Sequence, residues 1–336
     1  MRGARCVRRW GRDTFRAVAG VDEPDRLIWV DGEFVPWGQA AVHVLSHSLQ
    51  RGSLVFDYLS VHETERGPAI FRLPEHLRRF RRSVDLVGLP LELSTDALHR
   101  AVVAAVRANP GATAVKISAF LPSIEVDVVP MDPRVSVAIA AYDPVGDVIL
   151  RHAGRPPERR PVRLWVEKVA RNRREDILPP QAKVAANYAS PMRAKWEARR
   201  RGYDEIVLVD EEGFLAEGPT CNLFLVEADG VLRTPPERRV LHGVTRDSVM
   251  ALARDEGIPV EEVALAPERL LAAREAFLTG TSAGVWPVES VDGHRLGGPC
   301  PGPISKRLAD RFELAVAGRD PAFRGWLTFV DETGEG

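Results

Sequence analysis

One lysine, Lys183, sits in an otherwise uncharged run, LPPQAKVAANYASPM, over residues 178–192. A buried lysine is costly unless it is neutral or paired. Burial lowers its pKa, and the neutral amine can attack a carbonyl carbon. The alternative is a stem-buried side chain whose ammonium reaches water, and the stretch by itself leaves both open. Three further segments carry polar chemistry at strand and helix ends. AEGPTCNLF places Glu217 before a glycine between two apolar strands, and LHGVTRDSV opens a helix at Gly243-Val244-Thr245. FLTGTSAGV ends a strand in Thr279, Thr281 and Ser282. Singly, the second reads as a helix cap and the third as a turn.

The elements that must position these groups alternate without a regular βαβ rhythm, which predicts an α+β class. RLIWVDGEFVPW reads as a hairpin around Asp31-Gly32, and GSLVFDYLSVHE as a strand. PEHLRRFRRSVDLVGLP reads as a helix opened by Pro74, with Leu77, Phe80, Val84 and Leu86 on its apolar side. STDALHRAVVAAVRANPG is a second helix, capped at Ser94 or Thr95. TAVKISAFL and VSVAIAAY follow as strands. DPVGDVILRHAGRPPERRP then loses periodicity and gathers Pro, Gly and Arg. The expected organisation is an N-terminal extension over 1–24, disordered, and a small N-terminal domain over 25–145. A linker over 146–160 and a large C-terminal domain over 161–330 complete it. In the large domain YASPMRAKWEARRRG is expected as one helix.

The 336 residues suffice for two medium domains, and 45% hydrophobic with 28% charged residues is a folded composition. A net charge of −1 gives no electrostatic reason for nucleic acid or an anionic membrane as partner. Three scattered cysteines supply neither a disulfide framework nor a zinc site, and no metal is expected. A reducing cytoplasm is the expected compartment. No apolar run approaches the roughly 20 residues of a membrane span.

From Leu27 to Phe329 the ordered segments VHVLSHSLQRGSLVFDYLS, FRLPEHLRRF, AKVAANY, RRGYDEIVLVDEEGFLAEGPTCNLF, HGVTRD, TGTSAG and SVDG resemble the class IV, fold-type IV pyridoxal-phosphate enzymes. Among these the resemblance runs most strongly to the branched-chain amino acid aminotransferases. It implies two α/β domains with pyridoxal 5'-phosphate at their interface, in a homodimer. It gives Lys183 the covalent attachment to the cofactor aldehyde and the proton shuttle. Glu217 would keep the pyridine nitrogen protonated, and Tyr188 would bond the 3′-oxygen. Arg79, the backbone of Val244 and Thr245 at a helix N-terminus, and Thr281 would hold the phosphate.

The substrate positions depart from that family. Arg51 stands where it usually has tyrosine, Tyr58 where it has glycine, Ser60 where it has arginine, and Ala114-Val115-Lys116 where it has Tyr-x-Arg. Alternation puts Phe56, Tyr58 and Ser60 on one strand face, with Lys116 on the matching face of the next strand. Lysine lacks arginine's bidentate grip on a carboxylate. Arg51, Phe56, Tyr58, Lys116, Thr281 and Ser282 are therefore the expected substrate-binding residues. The expected reaction is transfer of an amino group from a small-molecule donor, a branched-chain-like L-amino acid by default, to a 2-oxo acid such as 2-oxoglutarate or pyruvate. A D-amino acid or (R)-amine transaminase, or a lyase resembling the aminodeoxychorismate lyases, are the alternatives.

Overall fold

The computed structural model describes residues 24–331, apart from 157, 159 and 173. The N-terminal extension expected to be disordered thus lies, up to residue 23, outside the described residues. The chain opens with β1 (Leu27–Val30) and β2 (Glu33–Pro36), joined where Asp31 and Gly32 take φ values of 49° and 105°. Such positive angles are those of the tight hairpin turn that Asp-Gly favours. After the single turn α1 (His47–Arg51) come β3 (Val55–Thr64), β4 (Gly67–Phe71), α2 (Leu73–Val87), α3 (Thr95–Arg107), β5 (Ala114–Phe120) and β6 (Ser136–Tyr142). Six of these strands and the chain's last strand, Leu327–Phe329, form a seven-stranded sheet in the order last strand-β4-β3-β5-β6-β1-β2. All of its pairings are antiparallel.

Along β3, Val55, Asp57, Leu59 and Val61 are buried, and Phe56, Tyr58, Ser60 and His62 face the other way. The buried row packs with Leu77, Phe80 and Val84 of α2 and Leu98 and Val102 of α3. Leu86 departs from the expectation: it is 39% exposed. Two residues beyond Val84 a helix has turned by about 200°, away from the core. Ser94 caps α3 as expected, accepting a hydrogen bond from Ala97 N.

Residues expected as an aperiodic connection are partly helical. Asp143 accepts from Val145 N and Gly146 N, starting a wide turn over Pro144–Ile149 that runs into α4 (Leu150–Ala153). The chain continues through β7 (Val162–Arg171), α5 (Ala186–Ala189), α6 (Met192–Arg200), β8 (Glu205–Val209), β9 (Asn222–Val226) and β10 (Leu232–Thr234). Then follow α7 (Val244–Asp255), β11 (Val260–Glu262), α8 (Pro267–Ala272), β12 (Glu275–Gly280), β13 (Gly284–Val291), β14 (His294–Arg295) and α9 (Pro303–Val316). The single helix expected over residues 188–202 is two, because Pro191 cannot continue the first and instead starts the second. An eight-stranded mixed sheet runs β11-β10-β9-β12-β13-β7-β8 with β14 paired to β13. Its strands β8, β9 and β12 are buried along nearly all of their length, so they read as apolar runs rather than alternations.

The lysine segment belongs to neither sheet but is strapped to the first. Phe56 N donates to Lys183 O at 3.0 Å, Ala185 N to Leu54 O at 2.8 Å, and Ala186 N to Gly52 O at 3.1 Å. Gly52 is required twice over here: φ is 69°, and a Cβ would meet the Ala186 Cβ at 3.3 Å. Among the described residues no helix is long and apolar enough to cross a membrane.

Candidate active site

Lys183 is half-buried, and its backbone is pinned by a 3.0 Å bond from its N–H to Ser83 Oγ on α2. Its amine reaches the Tyr188 hydroxyl at 2.9 Å. Five residues separate the two because the chain turns into α5 directly after the lysine. The Phe56 ring lies tilted 5.0 Å from that of Tyr188 and 4.9 Å from Lys183 Nζ. The amine therefore sits in an aromatic corner, held by a phenol.

Glu217 is 2% exposed on the turn before β9. Its Oε2 accepts from Asn222 Nδ2 and from Leu241 N, both at 3.1 Å. Asn222 is a residue the sequence reading missed; its signal is an amide heading the apolar strand NLFLV. It also explains Gly243, where a Cβ would fall 2.0 Å from Asn222 Oδ1. Gly243 caps α7 without a side chain, so no side-chain cap covers the N-terminal N–H groups at Val244 and Thr245.

Arg79 comes from α2 and is fixed by a buried partner the sequence reading also missed. Its Nε and Nη2 donate to the two Asp57 carboxylate oxygens at 2.9 and 2.7 Å, and its Nη1 to His242 O at 3.1 Å. His76 Nδ1 donates to the same carboxylate at 2.7 Å. Burial alone would raise the Asp57 carboxyl, but the Arg79 guanidinium and His76 hold it far below the usual range. An acid on the buried side of β3, between Val55 and Leu59, is the readable signal. The pair holds Arg79 as a fixed cation at the cleft. Arg79→Ala should lower pyridoxal-phosphate affinity by more than about tenfold, the loss of one charge-assisted contact, and slow the saturated chemistry much less. Equal cofactor loss from parent and variant on dialysis would contradict this.

The structure gathers Arg79, Lys183, Tyr188, Glu217, Val244, Thr245 and Thr281 around one cleft. Thr279 lines it too, with its hydroxyl buried and without a hydrogen-bond partner among the described residues. An anion-suited helix terminus, a fixed guanidinium, an orphaned hydroxyl, a carboxylate and an amine form a donor set that fits a phosphorylated pyridine aldehyde.

The substrate-face residues are arranged beside this cleft. Tyr58 pairs with Lys116 across the β3–β5 ladder, and Phe56 with Ser118. The Tyr58 phenol lies near Ser282, in the turn after β12, and near Tyr142 of β6. Burial first, and then Tyr142, push its pKa up, keeping it a neutral hydroxyl. Lys116 Nζ lies 5.1 Å from the Phe56 ring; partial burial and the nearby Lys183 lower its pKa. Ser60 is bonded to His62 Nε2 at 2.8 Å, and burial pushes His62 down to about 4. Arg51 does not join them within one chain. It is exposed on α1, donating to Val126 O at 2.7 Å, because Gly52 turns the chain between it and β3.

Residues 54–291 match the family Amino-transferase class IV, and the chain belongs to that family. It is 36% identical over 307 residues to the branched-chain-amino-acid aminotransferase of Salmonella typhimurium, spanning 90% of this chain and 97% of the relative. It is also 36% identical over 308 residues to that of Escherichia coli K12, spanning 91% and 97%. A solved T.th. branched-chain amino acid aminotransferase, complexed with N-(5'-phosphopyridoxyl)-L-glutamate, superposes with a TM-score of 0.83 at 35% identity, covering 92% of this chain and 100% of that one.

Proposed function

We propose that this chain is a pyridoxal-phosphate-dependent aminotransferase that moves an amino group between an amino acid and a 2-oxo acid. A branched-chain-like L-amino acid is the default donor, with 2-oxoglutarate or pyruvate as acceptor. The observation that carries this is the convergence of an amine, a phenol, a carboxylate and a phosphate-suited cup on one cleft. The solved relative's complex with phosphopyridoxyl-glutamate supports both the cofactor and an amino acid in the same place.

Bound here, the cofactor supplies an aldehyde and an electron-withdrawing ring. Lys183 would be the amine that holds the aldehyde and, when free, the base that moves a proton at the substrate α-carbon. Tyr188, 2.9 Å from that amine, orients it and bonds the ring oxygen. Glu217 holds the proton on the ring nitrogen, kept in place by Asn222 and Leu241 N. Arg79, Val244, Thr245 and Thr281 grip the phosphate.

A homodimer is part of the reading. Val126 and Met131 are 95% and 92% exposed on the loop after β5. That loop is nonetheless held to α1, through His47 Nε2 with Val128 O and Arg51 with Val126 O. An ordered apolar tip of this kind favours a second copy as its cover.

A D-amino acid or (R)-amine donor is the second reading, favoured by Tyr58 and Lys116, which depart from the family's usual residues and pair with each other across the β3–β5 ladder. A panel of L-amino acids, D-amino acids and (R)-amines against 2-oxoglutarate and pyruvate, read as single-turnover spectra, decides between them. Tyr58→Gly should raise kcat/KM for leucine over the native donor by tens-fold, since a methylene in an apolar pocket is worth about 1–3 kcal/mol. Lys116→Ala should raise the KM for 2-oxoglutarate and spare pyruvate. Wild-type kinetics in both variants would place these side chains away from substrate.

A further inference from the structure

Behind the phosphate cup lies a second, open cleft between α2 and α7, and it shares Arg79, Gly243 and Val244 with the first. Its charges do not balance. Three of its four acids are paired with arginines, Asp247 and Glu75 with Arg72 and Glu262 with Arg246, while Glu237 lies 3.0 Å from His242, whose pKa burial lowers. Arg78 and Arg82 of α2 and Arg254 of α7 line it exposed, and among the described residues none of the three is in an ion pair. Arg78 and Arg82 are one turn apart on a helix, a spacing at which like charges repel. The sequence EHLRRFRRS thus holds one arginine, Arg79, turned inward to Asp57, while Arg78 and Arg82 turn outward to the second cleft. The positive end of α7 opens on the same place.

We propose that Arg78, Arg82 and Arg254 form a capture vestibule for a phosphate monoester, drawing the dianion from solvent toward the cup; this rests on the cofactor reading above. A lined basic cleft focuses field and raises association rates by about 10- to 10³-fold, steeply dependent on salt. The three arginines would therefore set how fast pyridoxal phosphate arrives, changing its affinity only through that rate and not through how fast the cup releases it.

Stopped-flow absorbance on the full chain freed of cofactor tests this, with no turnover required. In R78Q/R82Q/R254Q the association rate constant for pyridoxal phosphate should fall about tenfold or more at low salt, and its salt dependence should flatten. The dissociation rate, and association of phosphate-free pyridoxal, should stay within about twofold. R78K/R82K/R254K should keep the parent rate. The same charge removed at Arg193, Arg199 and Arg200 of α6, which do not line the cleft, should have little effect. Parent-like association and salt slope in the glutamine variant, or equal slowing of pyridoxal or of the α6 variant, would overturn the vestibule while leaving the cup intact. A parent chain that takes up no pyridoxal phosphate would overturn the cofactor reading and the vestibule together.

Discussion

Lys183→Ala is expected to cut transamination by at least about 10³-fold while the chain stays folded. Removing a positioned general acid–base alone costs roughly 10²–10⁴-fold. In the proposed role the same amine is also the covalent anchor, so the loss should lie at the upper end or beyond. The fold should survive because what the segment gives to its surroundings is backbone. The Lys183 N–H bonds Ser83 Oγ, its C=O accepts from Phe56 N, and alanine keeps both. The amine itself sits half-exposed in an aromatic corner, so truncating it leaves no buried charge unpaired. Single-turnover rates with saturating cofactor, beside thermal melts of parent and variant, check this. A variant within tenfold of the parent rate would exclude Lys183 as the proton carrier.

Glu217→Gln should leave cofactor binding largely intact and slow the same half-reaction by about 10²–10³-fold, the usual cost of one preorganised electrostatic contact. The side chain is 2% exposed, and its Oε2 takes bonds from Asn222 Nδ2 and Leu241 N. Glutamine has the same shape and its oxygen can accept both, so packing is preserved. It carries no charge, however, to hold a proton on a ring nitrogen, and the negative charge developing at the substrate α-carbon loses its stabilisation. Glu217→Asp should also be slow, for a different reason: it keeps the charge and withdraws it by about one methylene. An unchanged single-turnover rate in the glutamine variant would remove this role.

Much of this site is legible in the sequence because its parts sit at element ends with distinctive neighbours. Lys183 stands alone in an uncharged run, Glu217 precedes a glycine between apolar strands, and Gly243-Val244 opens a helix. The strand alternation places Phe56, Tyr58 and Ser60 on one face, and the structure has them so. What escapes is the support behind these residues. Asp57 and Arg79 are 22 residues apart and meet only because α2 packs on β3, so neither local spacing nor periodicity announces the pair. Tyr142 reads as an ordinary strand residue for the same reason, and the amide of Asn222 at the head of an apolar strand does not say which carboxylate it will meet. The last strand's return to pair with β4 is a contact between chain ends, fixed by packing rather than by local pattern. The break at Pro191 is a different case, since a proline inside a helical pattern is itself the local signal for a new start.

The most direct measurement is borohydride reduction of the pyridoxal-phosphate-loaded chain, followed by proteolysis and mass spectrometry of every lysine. Two amines flank the Phe56 ring, Lys183 at 4.9 Å and Lys116 at 5.1 Å, so the site offers a real choice. The account predicts a phosphopyridoxyl group fixed on Lys183, with Lys116 unmodified. A stable adduct on Lys116 or on any lysine other than Lys183, or none at all from a saturated chain, would contradict it.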